Sequence, residues 1–272
     1  MTIEEILADR PSRVEVMTGL AADHVDELVL LVYAEIGFVS GRRRAVGPYR
    51  AVVVVLLYLR HNLSQALLAE LFGCSQPTVS RLVGRFLPVI TTVLTPHADQ
   101  VAERALRSTV RVDGFLAPTG DRRVNTYTSG MYSGKRHRCG FNVQIVTSWR
   151  GRLVMTSRPL PGATHDARAW HESGLAQRFA GRLHADGGPG GFADTAYTST
   201  GLCVPDRKPN RQPLTASARE FNRLIASRRA SVERVIAHLK NWRILAPGYS
   251  GMLERFPPYL DAVTKLEIYR TS

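Results

Sequence analysis

The sequence predicts a mixed α/β core preceded by an all-helical N-terminal domain, and three observations carry that expectation. Apolar residues recur at helical spacing up to Leu94, alternate with period two between Thr109 and Thr156, and return to helical spacing from Ala216 to Leu245. Strands followed by one long helix define a mixed α/β class. The clearest change of pattern falls near residue 100, so the expected domains are 1–100, helical, and 101–272, mixed α/β.

In the N-terminal part, residues 20–36 carry apolar positions at helical spacing, and Arg42, Arg43 and Arg44 with Gly41, Gly47 and Pro48 then break the pattern into a basic loop. Three helices are predicted in close succession: Arg50 to Asn62, Ser64 to Phe72, and Gln76 to Leu94. The first holds the densest apolar run of the chain, Ala51 to Leu59, between Arg50 and Arg60; it is far short of the roughly 20 residues needed to cross a bilayer and reads as a buried helix. Ser64 and Ser75 stand at N-cap positions, Gly73 supplies a tight turn, and Pro77 is tolerated in a first turn, which together spell a helix-turn-helix. Its third helix presents Gln76, Thr78, Ser80 and Arg81, small or polar groups able to reach base edges or phosphates, with Arg85 extending the basic side, while Val79, Leu82 and Val83 face inward. The plainer alternative is a helical bundle with a polar surface.

Charge points the same way. The 272 residues carry a net charge of +13 with a pI near 10.3, a surplus that attracts a polyanion, and nucleic acid suits it better than a membrane surface. With 44% apolar residues the chain can bury a sizeable core. Cys74, Cys139 and Cys203, odd in number and widely spaced, form neither a disulfide framework nor a CxxC metal site and are expected as reduced thiols. The N-terminal MTIEEILADR is acidic and lacks the apolar stretch of a signal peptide, so a cytoplasmic location is expected.

The strands are Thr109 to Asp113, Phe141 to Ile145 and Leu153 to Thr156, the last two joined by a turn at Trp149-Arg150-Gly151. Asp113 is expected to end its strand on the face shared with Arg111, with Gly114 letting the backbone leave tightly. Asp194, after the apolar Phe192-Ala193, also reads as a strand end, and Glu233 lies within the long helix. Three carboxylates from separate segments can hold two divalent ions about 4 Å apart, the arrangement that activates a poor nucleophile against a phosphodiester. Around Glu233 the small residues Ala226, Ala230 and Ala237 would let the helix lie close against a sheet, with Arg229 and Lys240 on the same line as phosphate ligands. Alanine is also simply the best helix former, and Glu233 paired with Arg229 or Arg234 on a solvated face remains the alternative.

At these residues the chain resembles the DDE transposases of bacterial insertion sequences and their Harbinger-like relatives, the DDE-superfamily endonucleases. The segment Leu56 to Ile90 is similar to that family's helix-turn-helix, Val112 to Phe115 (VDGF) to its first-aspartate segment, and Met131 to Val146 to its basic hairpin. Further on, Pro161 to Ser173 is similar to its PGSxHD segment, the stretch FADTAYTSTGLCVPDRKP to its second-aspartate segment, and Glu220-Phe221-Asn222 with Ser231 to Leu245 to the helix bearing its glutamate. The resemblance implies an RNase H-like core, a mixed sheet flanked by helices, with Asp113, Asp194 and Glu233 as catalytic and metal-binding triad and Mg²⁺ (or Mn²⁺) as cofactor. It implies double-stranded DNA as partner, both terminal inverted repeats and target, cleavage followed by strand transfer, and action as a homodimer or higher on DNA, in the cytoplasm at the nucleoid. Lys135, Arg136 and Arg138 become a DNA-facing edge, and His165 with Asp166 either touches the reaction or caps a helix. Two departures stand out: Thr195-Ala196 replaces the Lys-Gly pair common after the second aspartate, and Asp186 is a rival for Asp194. A domesticated DNA-binding protein that does not cleave, and a nuclease without strand transfer, remain the rival readings.

Overall fold

A computed structural model describes residues 2–37, 45–120, 130–246, 248–249 and 251–272, and the side chains of 228–230 are not among those described. Arg42, Arg43 and Arg44 therefore lie outside the described residues. The chain divides into two compact units, one of residues 1–97, 241–244 and 252–272, the other of residues 98–240 and 245–251.

The first unit is all-helical. It holds α1 (Ile3–Leu7), α2 (Val14–Thr18), α3 (Ala22–Ile36), α4 (Pro48–His61), α5 (Gln65–Leu71) and the greater part of α6 (Gln76–Leu106), joined by α10 (Phe256–Arg270). The apolar run expected to be a buried helix is one: every residue of α4 from Ala51 to Leu57, and Leu59, is buried. Pro48 starts α4 at a position where its missing N–H is no loss, and Asn62 ends it in the left-handed region at φ +53°. The sequence pattern placed all residues beyond 100 in one domain, whereas by packing α10 belongs with the first unit. Its Tyr269 hydroxyl donates to the His24 carbonyl (3.1 Å) and to the Glu27 carboxylate (2.5 Å), and Tyr259 packs on Tyr58 at 5.8 Å between rings.

α6 is longer than the pattern suggests, running through Pro88 and Pro96 to Leu106. Both prolines sit on its exposed side, where water can satisfy a carbonyl left without its N–H partner. The hydroxyls of Thr91 and Thr95 donate to the Leu87 and Thr91 carbonyls along the same stretch.

The second unit is built on a mixed sheet. Its strands are β1 (Val110–Pro118), β2 (Tyr132–Ser133), β3 (Arg138–Ser148), β4 (Leu153–Thr156), β5 (Leu160–Pro161) and β6 (Gly191–Phe192), with β1 antiparallel to β3 over its full length and parallel to β6. The spatial order β4, β3, β1, β6 is extended by a parallel bridge from Phe192 to Cys203. One face carries a core of Val110, Val112, Val146, Val154, Trp170 and Tyr197, covered by α7 (Asp166–Glu172) and α8 (Leu175–Arg178). Toward the other face α9 (Ala216–Lys240) packs on β1, burying Val232, Val235 and Leu239. Helices on both faces of a mixed sheet make this the α/β, RNase H-like core, preceded by an all-α helix-turn-helix region.

Two local expectations are corrected. β1 does not end at Asp113 but continues to Pro118, because Gly114 stays in the ladder opposite Gln144. The reason for glycine there is close approach: a Cβ would stand 2.6 Å from an Asp166 oxygen and 3.0 Å from the Gln144 amide nitrogen. On α9 the line that packs is Val232, Val235 and Leu239, whose bulk fills the interface, while Ala237 is exposed. No helix among the described residues is long and apolar enough to cross a membrane. Cys74, Cys139 and Cys203 are free thiols.

Candidate active site

Strand register decides how the two aspartates meet. Arg111 on β1 faces Phe192 on the parallel β6, so Asp113 and Asp194, each two residues further along, arrive side by side at the same level of neighbouring segments. Asp113 is half-buried, and its Oδ1 accepts from the Gly114 N–H at 2.7 Å. Asp194 caps the short turn Thr195–Tyr197, its Oδ1 accepting from the Ala196 N–H at 2.8 Å. Both line one cavity, together with Arg111, Trp149 and, from α9, Ile225 and Ala226. The rival Asp186 is exposed in the turn His184–Asp186 and lines no part of this cavity.

Arg111, only 4% exposed, fastens α9 to the sheet. Its guanidinium donates to the Ser231 hydroxyl and to the Trp149 carbonyl (3.2 Å), and lies 4.7 Å from the centre of the Trp149 ring. Glu233 follows two residues after Ser231 and is exposed; α9 gives the cavity Leu224, Ile225, Ala226 and Val232, but not Glu233. The fold thus brings Asp113 and Asp194 together and leaves Glu233 outside the cavity lining. Among the described residues no three His, Cys, Asp or Glu side chains converge closely enough to hold a metal ion. Two adjacent carboxylates are nonetheless the hard oxygen donors that Mg²⁺ or Mn²⁺ takes, so the donor chemistry fits such an ion.

His165 and Asp166 open α7. His165 is its N-cap, with Nδ1 accepting from the Ala167 N–H at 3.3 Å. Asp166 lies in a polar recess with Lys135, Arg136 and Asn142. Its Oδ1 accepts from Asn142 Nδ2 (3.0 Å) and Gln144 Nε2 (3.3 Å), and Lys135 Nζ is 3.7 Å from Oδ2. The sequence reading missed this group of polar residues. Its signal was present: in the otherwise apolar β3, Asn142 and Gln144 alternate on one face, and a polar side chain on a buried strand demands a partner.

The basic residues fall into two sets. Lys135, Arg136 and Arg138 are exposed on the β2–β3 hairpin, and the Lys240 ammonium is pushed to a lower pKa by burial first and then by Arg136 and Arg138. Lys240 therefore shares one field of positive charge with the hairpin. The Arg229 side chain lies outside those described. On α6, Gln76, Ser80, Arg81 and Arg85 are exposed, while Thr78 is half-buried with its hydroxyl 2.9 Å from that of Ser75. Gln76 donates to Gln65 of α5 at 2.7 Å, Arg81 Nε donates to the Pro77 carbonyl at 3.1 Å, and the Arg85 guanidinium is 5.7 Å from the Phe86 ring centre.

A helix-turn-helix followed by an RNase H-like core with paired strand aspartates defines a class of DNA-processing enzymes, and the comparisons agree. Residues 112–266 match the DDE superfamily endonuclease family and residues 47–96 match the helix-turn-helix of DDE superfamily endonuclease, so the chain belongs to the DDE superfamily endonucleases. It is also 32% identical over 245 residues, 88% of each chain, to a protein of Streptomyces albus G described as a putative transposase for insertion sequence element IS112. The protein is accordingly a DNA-binding endonuclease of transposase type.

Proposed function

We propose that the protein is a transposase that binds the terminal inverted repeats of its element and catalyses both strand cleavage and strand transfer through Asp113, Asp194 and Glu233. The observation that carries this reading is the parallel register of β1 and β6, which sets Asp113 beside Asp194 in one cavity within a matched DDE domain. Residues 1–100 would serve DNA binding and 101–272 catalysis. Glu233, exposed on α9, would complete the ligand set when DNA and metal are present. Asp113, Asp194 and Glu233 would hold two Mg²⁺ or Mn²⁺ ions, which when bound would lower the pKa of an attacking water and stabilise negative charge on the departing 3′-oxygen.

The chain's own residues do the rest. Arg111, tied to Ser231 and Trp149, fastens α9, the helix that carries Glu233, to β1. Gln76, Thr78, Ser80, Arg81 and Arg85 would read or hold the repeat, and Lys135, Arg136, Arg138, Arg229 and Lys240 would hold phosphates near the cut. Because the same groups orient water or a DNA 3′-hydroxyl, hydrolysis and strand transfer share one geometry. Two protomers, one for each element end, would work together in the cytoplasm at the nucleoid.

The test is incubation with Mn²⁺, a duplex carrying one element end, and a plasmid target. The expected products are nicks with 3′-hydroxyl ends and end–target joints, both lost on chelation. Cleavage without joints would reduce the protein to a nuclease, and binding without cleavage would leave the domesticated DNA-binding reading.

A further inference from the structure

Beneath the sheet, on the side of α7, lies a chain of buried polar side chains that the reaction itself does not use. It starts at Tyr197, which is fully buried and closes the short turn capped by Asp194. The Tyr197 hydroxyl donates to the Gln144 Oε1. Gln144, itself fully buried, uses its amide nitrogen to donate to Asn142 Oδ1 (2.6 Å) and to Asp166 Oδ1 (3.3 Å). Asn142 in turn donates to Asp166 Oδ1 (3.0 Å) and to the Thr164 carbonyl (2.7 Å). At the far end Lys135 of the basic hairpin faces the second oxygen of Asp166.

Placing polar groups here is costly unless all are paired, and an apolar core would have served packing as well. What apolar residues would not do is fix direction. The Asp194 turn has three residues, and β6 before it has only two, so its backbone alone holds the aspartate weakly in register. A tyrosine bonded to the centre of β3 pins that turn to the strand lying across β1, the strand that carries Asp113. Glycine at 114 keeps the space open for Asp166 and the Gln144 amide to meet over β1.

We propose that Tyr197, Gln144, Asn142 and Asp166 form a positioning network that fixes the orientation of Asp194 toward Asp113, and that Asp166 is its anchor and not a metal ligand. The proposal rests on the reading of Asp194 as a ligand. Burial, followed by the charges of Asp166, Asp113 and Asp194, raises the pKa of the Tyr197 phenol, which keeps it a hydrogen-bond donor at every working pH. Carboxylates bound to a metal depend on such outer partners, and their loss commonly weakens metal affinity or activity about 10- to 100-fold.

The test uses the full-length protein and two readouts: free Mn²⁺ followed by electron paramagnetic resonance, and cleavage of an end-containing duplex at several Mn²⁺ concentrations. Tyr197→Phe and, independently, Gln144→Met are expected to weaken Mn²⁺ binding by about ten-fold. Both should lower kcat with KM for DNA unchanged, and high Mn²⁺ should restore kcat, a rescue that general unfolding would not allow. Asp166→Asn should weaken Mn²⁺ binding in part, whereas Asp194→Asn should abolish it. Wild-type Mn²⁺ binding and cleavage in both Tyr197→Phe and Gln144→Met would overturn the network, and so would reduced kcat that no Mn²⁺ concentration restores. Loss of all Mn²⁺ binding in Asp166→Asn would make Asp166 a ligand. If Asp194→Asn binds Mn²⁺ as the wild type does, the reading of Asp194 itself falls, and that result is distinct from the others.

Discussion

Three tyrosines show how single side chains tie this fold together and set its limits in pH. The Tyr49 hydroxyl donates to Asp26 at 2.6 Å, Tyr269 donates to Glu27, and Tyr197 to Gln144. Burial raises all three phenol pKa values above the ordinary tyrosine range, helped by the hydrogen bond to Asp26 for Tyr49 and to Glu27 for Tyr269, and by nearby aspartates for Tyr197. A phenol with a raised pKa in the folded state stabilises the fold fully below its unfolded value of about 10, and the contribution is lost as pH climbs above that. Stability is therefore expected to fall steeply at alkaline pH. In an absorbance titration these phenols should ionise together with unfolding; ionisation of all nine tyrosines near the ordinary value, with the fold intact, would contradict this. None of the three pairings was legible in the sequence, because each joins residues far apart in the chain.

Elements were legible where one periodicity dominated. The buried α4, the hairpin of β3 and β4, and the helix-turn-helix of α5 and α6 follow directly from apolar spacing, Gly151 and Gly73 at turns, and Ser64 at a cap whose hydroxyl accepts from the Leu67 N–H. Missed were α1 and α2, each of five residues and too short for a period to register, and the continuation of α6 through two prolines. Of the candidate site, the local strings singled out Asp113 and Asp194, but the polar neighbourhood around them was not legible, since Asn142 and Gln144 acquire meaning only when β3 pairs with β1. At this scale the exposed face of α6 carries a prediction of its own. Replacing Arg81 with Ala is expected to weaken binding to the element's end and to reduce the slope of log affinity against log salt by about one, as for the loss of one phosphate contact. Unchanged affinity and slope at matched salt would remove Arg81 from the interface.

Over the whole molecule, a surplus of thirteen positive charges provides attraction to DNA without sequence, while in the proposed function specificity comes from a few side chains on α6 and chemistry from three carboxylates. That α10 packs with the N-terminal helices although it follows the catalytic segment in sequence was hidden from any reading that works along the chain, because such a reading divides it at a single point. The distribution of charge also explains why composition alone pointed to nucleic acid but could not name the reaction. That rests on the carboxylates meeting at one cation site, and anomalous X-ray scattering from crystals of the protein grown with Mn²⁺ and end-containing DNA tests it most directly. The account predicts manganese peaks contacted by the carboxylates of Asp113, Asp194 and Glu233 together. Peaks held by other residues, or without contact from Glu233, would contradict it.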